Sequence, residues 1–143
     1  MNINLTGKNA LIGGSSKGLG LAIARQLAVS GANVTLMARS KTTLKKVVDQ
    51  LDTNSNQKHQ FLVVNFSDFD DFSSKMENFF TNNKIDILIN NTQGPSPGSA
   101  IEKSIDDYQN AFDLLFKCAV FTSNLALPHM QKQKWGRIVN VSS

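Results

Sequence analysis

The sequence predicts an α/β fold built on a doubly wound parallel sheet with strand order 3-2-1-4-5. Short, continuous apolar runs recur along the chain, as expected of parallel strands that helices cover on both faces. Amphipathic stretches of helical period separate these runs, and right-handed crossovers then give the stated order. The chain has 143 residues, which suits one domain with a substantial core.

Five apolar runs are the predicted strands, in chain order Asn9–Gly13, Asn33–Ala38, Gln60–Asn65, Ile85–Asn90 and Arg137–Val141. The first helix follows the first strand, and Gly31 stands where a left-handed C-terminal cap belongs. The predicted core stripes of the first three helices are Leu19, Ala22, Ile23 and Leu27, then Leu44, Val47, Val48 and Leu51, then Phe72, Met76, Phe79 and Phe80.

The chain after the fourth strand begins with a loop, because residues 94–98 (Gly-Pro-Ser-Pro-Gly) are too rich in breakers for regular structure. Ser104 followed by Asp107 is typical of a helix start. A long helical region follows, with Tyr108, Phe112, Leu115 and Ala119 predicted on one side. Pro128 should kink this region or mark its last turn.

The composition indicates an ordinary soluble globular protein, with 41% hydrophobic and 18% charged residues and a mean hydropathy of −0.20. No apolar run approaches the roughly 20 residues of a membrane span, and residues 1–5 lack the features of a signal peptide. We therefore expect a cytoplasmic protein. The single cysteine, Cys118, forbids an internal disulfide and is predicted to be a small buried side chain.

The charge pattern does not predict a nucleic-acid partner, although the net charge is +4 and the pI is near 9.3. The basic residues are scattered along the chain, and Lys41, Lys45 and Lys46 fit the solvated face of a helix. His59 and His129 are isolated from other ligand-type residues, so we predict no metal site.

The most informative segment joins the first strand to the first helix. Residues 13–20 (Gly-Gly-Ser-Ser-Lys-Gly-Leu-Gly) place glycines where a tight turn and a close ligand leave no room for Cβ atoms. The following helix offers its N-terminal amides to a phosphate. A dinucleotide site is therefore predicted, with cofactor-binding residues Gly14, Ser16, Lys17, Gly18, Leu19 and Gly20.

The end of the second strand indicates which dinucleotide would bind. Sites that prefer NAD place an acidic side chain there, which accepts hydrogen bonds from the ribose and repels a 2′-phosphate. Ala38 takes that place here, followed by Arg39 and Ser40. Arg39 and Lys17 could converge on a 2′-phosphate as charge-assisted donors, so we expect NADP(H) to be favoured over NAD(H).

Three segments together resemble the short-chain dehydrogenase/reductase family. Residues 14–20, 86–91 (Asp-Ile-Leu-Ile-Asn-Asn) and 136–143 (Gly-Arg-Ile-Val-Asn-Val-Ser-Ser) are similar to its glycine motif, its Asn-Asn-Ala-Gly motif and its serine strand. The resemblance runs through the whole chain but covers only the N-terminal portion of the family. It implies a Rossmann-type fold and hydride transfer between a nicotinamide cofactor and a carbonyl or alcohol substrate.

The resemblance also implies roles for single residues. Ser143 matches the serine that polarises the substrate oxygen, and Asn91 should brace the cofactor ribose or the adjacent backbone. Asn65, followed by Phe66, stands where the family usually places an Asp against the adenine. An amide can still donate and accept hydrogen bonds at the edge of the adenine ring. Leu115 stands where many members have an Asn of the proton relay. Residues 90–95 (Asn-Asn-Thr-Gln-Gly-Pro) are similar to the 3-oxoacyl-carrier-protein-reductase-like members.

The family's Tyr-x-x-x-Lys pair, expected after the serine, does not occur in this sequence. Tyr108 is followed four positions later by Phe112, so it fits helix packing instead. We therefore expect residues 1–143 to be a dinucleotide-binding domain, truncated before that pair and lacking the C-terminal strands. Such a stretch alone should not turn over, because nothing would protonate the carbonyl oxygen.

Two further expectations concern the complete protein. The resemblance implies a homodimer or homotetramer formed through the long helices. A non-catalytic dinucleotide-binding sensor or regulatory module is the alternative function, supported by the missing Tyr and Lys. A Rossmann-like methyltransferase or epimerase would share the alternation of strands and helices but not the serine strand.

Overall fold

A five-stranded parallel sheet of order β3-β2-β1-β4-β5 forms the middle layer of the computed structural model, which describes residues 3–142. The strands are β1 (Asn9–Ile12), β2 (Asn33–Ala38), β3 (Gln60–Val63), β4 (Ile87–Asn90) and β5 (Arg137–Asn140). The predicted order is confirmed. The strands other than β2 are shorter than predicted, because residues such as Gly13 and Asn65 already belong to the turns that follow.

Helices cover both faces of the sheet. They are α1 (Gly18–Val29), α2 (Lys41–Val48), α3 (Phe69–Asn82), α4 (Ile105–Phe112) and α5 (Cys118–Gln133). A π-helical turn, Asp113–Lys117, joins α4 directly to α5. The buried residues form two clusters, one between the sheet and α1 with α2, the other between the sheet and α3 with α5.

Helix α1 packs on the sheet through small side chains. Its buried residues are Gly20, Ala24 and Ala28, whereas Leu19 is 57% exposed. The predicted stripe through Leu19, Ala22, Ile23 and Leu27 was therefore wrong in phase, and Ile23 and Leu27 only flank the contact. Small residues occupy the centre of the contact between α1 and the sheet because they let the helix approach the strands closely. Gly31 has a φ of +96° and follows the helix as predicted.

Helices α2 and α3 confirm their predicted stripes. Leu44 and Val47 are buried on α2, and Leu51 is buried just beyond its end. On α3 the buried side chains are Phe72, Met76 and Phe79, while Val48 of α2 and Phe80 of α3 are partly buried. Phe72 lies at the centre of an aromatic group with Phe66, Phe69 and Phe121.

The long helical region buries a different side from the one predicted. Leu114, Cys118, Thr122, Ala126 and Met130 face the core, whereas Tyr108, Phe112 and Leu115 are exposed. The predicted side was wrong because α4 buries none of its residues, and the buried side begins only at Leu114 in the π turn. Ser104 and Asp107 form the predicted capping box. Pro128 lies inside α5 rather than in its last turn.

Residues 105–133 are also long and apolar enough, by length and composition, to span a membrane. The same helical region packs one side, from Leu114 to Met130, against β4 and α3, whereas apolar side chains on its other side, such as Phe112 and Phe116, are exposed. By composition alone such a helix is weak evidence for a membrane span.

A buried carboxylate ties three elements together at the start of β4. Asp86 is 4% exposed, and its Oδ2 accepts a hydrogen bond of 2.8 Å from the backbone N–H of Asn9. Its Oδ1 lies 2.6 Å from Nε2 of Gln133 and 3.0 Å from Nε2 of His129. Burial alone raises the pKa of Asp86, but the hydrogen bonds from Asn9, Gln133 and His129 outweigh it and lower the pKa.

Replacing this carboxylate should reduce stability in a pH-dependent way. The pKa of Asp86 is lowered in the folded chain, so its contribution is complete above the unfolded value of 3.8 and is lost as the pH falls through the folded pKa. We expect Asp86→Asn to lower the free energy of unfolding at pH 7 by about 2–4 kcal/mol, because three donors then share one amide oxygen.

Urea unfolding at pH 7 and at several values below pH 4 measures this effect. The exposed Asp49→Asn, on the C-cap of α2, is the control and should change stability by less than about 0.5 kcal/mol. Equal unfolding midpoints for wild type and Asp86→Asn at pH 7 would contradict the role given to Asp86.

Candidate functional site

The turn between β1 and α1 is held in place by buried hydrogen bonds from Ser15. The Ser15 Oγ donates to the Ile12 carbonyl at 2.9 Å and accepts from the Met37 N–H of β2 at 2.9 Å. The Ser15 N–H donates in turn to the Met37 carbonyl at 3.2 Å. Ser15 is fully buried, so it shapes the turn from below rather than facing a ligand. The sequence reasoning assigned it no role.

Asn91, directly after β4, packs against the same turn. Its Nδ2 donates to the Gly13 carbonyl at 3.1 Å. A Cβ on Gly14 would stand 2.7 Å from this Nδ2, and a Cβ on Gly13 or Gly20 would collide with the Asn91 or Gly14 carbonyl oxygen. Three glycines are therefore required by packing, because the turn, the strand end and the helix start meet without room for a side chain.

Gly18 is the exception among these glycines. Its φ of +57° favours glycine, and no heavy atom lies within 4 Å of the place where a Cβ would stand. Helix α1 starts here without a side-chain cap and without an acidic residue in its first turn. Its first amides therefore point into open space with the positive end of the helix dipole behind them. This combination suits an anion.

A cleft of about 460 Å³ opens above the turn. The predicted cofactor residues on its wall are Gly14, Ser16, Lys17, Gly18, Leu19, Gly20, Arg39, Ser40, Phe66 and Asn91. The structure thus brings together residues from the ends of four neighbouring strands. Thr43, Thr92 and Gln93 also line the cleft. Thr43 was missed because it belongs to none of the motifs, and Thr92 and Gln93 were quoted in a motif without being predicted to bind the cofactor.

Asn65 is the predicted cofactor residue that does not line this cleft. Its Oδ1 accepts a hydrogen bond of 3.1 Å from the Ser67 N–H, and its carbonyl accepts one of 3.1 Å from the Asp68 N–H. The side chain therefore shapes the turn that leads into α3. The next residue, Phe66, contributes to the cleft wall, although its ring packs against Phe72 with the ring centroids 5.2 Å apart.

The end of the cleft near β2 is positively charged. Lys17 and Arg39 both line it and are exposed, and no Asp or Glu contributes to its wall among residues 3–142. Neither cation makes a hydrogen bond or salt bridge to another described side chain. Ser40 caps α2 by accepting from the Thr43 N–H at 3.3 Å, and its Oγ lies 2.9 Å from the Thr43 hydroxyl. Two hydroxyl groups thus stand beside Arg39.

A second, larger cavity of about 790 Å³ adjoins the cleft. The two share Leu19, Asn91 and Thr92. Its walls are mainly apolar and include Leu115 and Phe116 of the π turn. The Leu115 side chain, which lines this cavity, can neither donate nor accept a proton.

Polar side chains line the floor of this second cavity. The Asn90 Nδ2 lies 2.8 Å from the Asn140 Oδ1 of β5 and 3.1 Å from the Ser123 Oγ of α5. The Val141 N–H donates to the Asn90 carbonyl at 2.9 Å, which fixes the end of β5 beside β4. Ser142 lines the cavity, whereas Ser143, the predicted catalytic serine, lies outside the described residues.

Cys118 is buried as predicted, at 2% exposure. Its Sγ lies 3.6 Å from the Phe66 carbonyl oxygen. Burial raises the pKa of the Cys118 thiol to about 11, with the Lys117 charge opposing and the Asp113 charge adding to that rise. A thiol with such a pKa is protonated at neutral pH, so it packs the core and does not serve as a nucleophile.

We compared this chain with protein families and with curated proteins. The sequence profile described as short chain dehydrogenase matches residues 8–143. A fatty acyl-CoA reductase of Acinetobacter baylyi is 36% identical over 145 aligned positions, covering 98% of this chain and 48% of the relative. A 3-oxoacyl-(acyl-carrier-protein) reductase of Aquifex aeolicus is 30% identical, covering 100% of this chain and 58% of the relative.

Solved structures give the same picture. The L-sorbose reductase of Gluconobacter frateurii, complexed with NADPH and L-sorbose, is 29% identical with a TM-score of 0.84, covering 96% of this chain and 53% of that one. A 3-oxoacyl-(acyl-carrier-protein) reductase of Agrobacterium tumefaciens with NADP bound is 28% identical with a TM-score of 0.83, covering 94% and 52%. This chain therefore spans about half the length of the relatives it matches.

The tight packing of the turn predicts a large effect for one added methyl group. In Gly20→Ala the new Cβ would meet the Gly14 carbonyl oxygen, so we expect a loss of about 1–3 kcal/mol in the free energy of unfolding. An alanine inside a helix would otherwise stabilise by up to about 1 kcal/mol. Gly94→Ala is the control, because nothing lies within 4 Å of its Cβ position.

Urea unfolding of both variants measures the difference. A Gly20→Ala protein as stable as wild type would show that the turn can relax, and would contradict the packing described here.

Proposed function

Because the chain belongs to the short chain dehydrogenase family, we propose that it forms the NADP(H) site of an oxidoreductase. The reaction is hydride transfer between the nicotinamide and a small carbonyl or alcohol substrate. The observation that carries the proposal is the anion-ready turn at Gly18 facing a cleft whose β2 end holds Lys17 and Arg39 and no acid from the described residues. The relatives named above are reductases, so the sensor alternative is not favoured.

The residues of the cleft suggest how NADP(H) would be held. The diphosphate would lie against the amides at Gly18 to Gly20, where the helix dipole and the open Gly18 position favour an anion. The 2′-phosphate would lie between Lys17 and Arg39, with the hydroxyl groups of Ser40 and Thr43 beside it. Phe66 would pack against the adenine, and Asn91 would contact the ribose beside the turn.

The second cavity would receive the nicotinamide and the substrate. When bound, the cofactor supplies or accepts the hydride. Ser143 would polarise the substrate oxygen, and the Asn90, Ser123 and Asn140 group would hold the strand that leads to it. We propose that residues 1–143 act as a dinucleotide-binding domain that needs a further acid to protonate the substrate oxygen. Residues 1–143 alone should bind cofactor without turnover.

The exposed side of the α4 to α5 region suggests how copies of the protein would associate. Ile105, Tyr108, Phe112 and Val120 are all more than 40% exposed, and Phe112 stacks on Phe116 with ring centroids 5.1 Å apart. An apolar patch of this kind marks an interaction surface in a soluble protein. We propose a homodimer or homotetramer built on this face, in a cytoplasmic protein.

Removing the Arg39 guanidinium should change cofactor preference. We expect Arg39→Ala to raise the Kd for NADPH by about 10- to 100-fold, because two charge-assisted hydrogen bonds to the 2′-phosphate are lost. The Kd for NADH should change by less than about twofold, since NADH carries no such phosphate. Titration followed by nicotinamide fluorescence measures both constants.

Arg25→Ala on the exposed side of α1 removes the same charge elsewhere and is the matched control. It should leave both constants unchanged. Equal weakening of NADPH and NADH by Arg39→Ala would refute the 2′-phosphate assignment, and no binding of either cofactor by the wild type would refute the proposed function itself.

A charge placed on the exposed apolar face should dissociate the oligomer. We expect Phe112→Glu to weaken self-association by at least about 100-fold, because a carboxylate would be buried against apolar surface. Light scattering at several protein concentrations measures this. Val29→Glu, at another exposed apolar position on α1, is the control. A wild-type protein that stays monomeric at all concentrations would contradict the proposed assembly.

A further inference from the structure

Basic residues that are far apart in the sequence lie together at the amino ends of the strands, on the side of the sheet opposite the cleft. We refer to this side as an edge of the sheet. Parallel strands all begin at this edge, so the residues that precede β1, β3, β4 and β5 become neighbours there. These strand starts and the end of α5 bring together six cations, Lys8, Lys58, Lys84, Lys132, Lys134 and Arg137. We call this surface the basic edge.

Hydrogen bonds link the segments that carry Lys8, Lys58 and Lys84. The Asn9 side chain, next to Lys8, donates to the Lys84 carbonyl at 3.1 Å. The Asn33 Nδ2 donates to the Asn9 Oδ1 at 2.9 Å, and its own Oδ1 accepts from the Lys58 N–H at 2.8 Å. The basic edge therefore runs continuously from β3 to β5, a width of roughly 19 Å at the usual strand spacing.

Trp135 lies at the β5 end of the basic edge. The Lys8 Nζ is 4.2 Å from the centre of its ring, and the Arg137 guanidinium carbon is 4.9 Å from it. These cation–π contacts hold two cations in fixed positions without neutralising them. Their charges remain available to a partner, and less side-chain entropy is lost when one binds.

In the described part of the chain, no salt bridge neutralises a cation of the basic edge. Among residues 3–142 none of its six cations has a carboxylate oxygen within 4.0 Å, and the salt bridges found there join Lys75 to Asp71 and His129 to Asp86. Asp86 lies beneath this edge as a buried carboxylate, and its oxygens accept hydrogen bonds from Asn9, His129 and Gln133. The acidic residues in the first turns of α3 and α4 follow the carboxyl ends of β3 and β4. Asp52 lies near the β3 end of the basic edge, where its carbonyl oxygen is 2.8 Å from Nε2 of His59, next to Lys58.

We propose that the basic edge is a docking surface for an acidic, Asp- and Glu-rich segment of another polypeptide. Cations held beside Trp135, one of them Arg137, suit a protein partner, since Trp and Arg are enriched among the residues that dominate the binding energy of protein interfaces. Trp135 is half-buried under two cations, which leaves it a poor platform for stacking nucleic-acid bases. Because the cleft lies at the other edge of the sheet, the partner would leave the cofactor site open.

A labelled poly-glutamate peptide tests the proposal by fluorescence anisotropy at low salt. We expect saturable binding to the wild-type chain and a Kd raised at least about tenfold in Lys84→Glu/Lys134→Glu, which spares both contacts to Trp135. The matched control is Lys45→Glu/Lys46→Glu on α2, with the same change in net charge, and it should change the Kd by less than about threefold.

Several results would overturn the proposal. One is absence of peptide binding to the wild type, and another is equal loss in the two double variants, which would mean that net charge alone drives binding. A third is a duplex oligonucleotide that binds more tightly than the peptide and is lost in Lys84→Glu/Lys134→Glu. If that variant fails to fold by circular dichroism, Lys58→Glu/Lys132→Glu replaces it with the same expectation. NADPH titration of each variant keeps this test separate from the proposed function.

Discussion

The close contact between the glycine turn and Asn91 sets the shape of the cleft. The Asn91 amide holds the Gly13 carbonyl, and Gly13, Gly14 and Gly20 each lack the Cβ that would push the turn away from the end of β4. Ser15 fixes the same turn to β2 from below. The start of α1 is thereby aimed at the space above the sheet, where its free amides and dipole favour an anion. If one of these contacts were lost and the turn moved, the first amides of α1 would no longer point into the cleft.

The cofactor cleft and the basic edge lie at opposite ends of the parallel strands. At the carboxyl edge, the strand ends bring the glycine turn, Arg39, Phe66 and Asn91 to one cleft. At the amino edge, the strand starts bring scattered cations beside Trp135. A ligand in the cleft and a partner on the basic edge would therefore bind independently, unless they were coupled through Asp86, which links β1 and β4 to α5 beneath the basic edge.

Most of the architecture could be predicted from the sequence because parallel strands buried on both faces leave short, continuous apolar runs. The strand order and the stripes of α2 and α3 followed from that pattern. The phase of α1 did not, since its contact is made by Gly20, Ala24 and Ala28, which carry little hydrophobic signal. The buried side of the long helix was missed because α4 carries apolar residues, among them Tyr108 and Phe112, that are exposed and do not pack on the sheet. Motifs located the cleft, but not Thr43 or Gln93, whose positions depend on how the following loops fold back. The basic edge was missed because its cations meet only after the chain has folded.

The most direct test of the account follows the backbone amides of the chain by two-dimensional ¹H–¹⁵N NMR during titration with NADP⁺. Binding at the turn predicts that the largest shifts occur at residues 14 to 20, with further shifts at Arg39 and Asn91, while amides at the amino edge of the sheet stay in place. A folded protein whose amides at residues 14 to 20 do not respond to saturating NADP⁺, or whose shifts cluster elsewhere, would contradict the assignment of this turn as the diphosphate site.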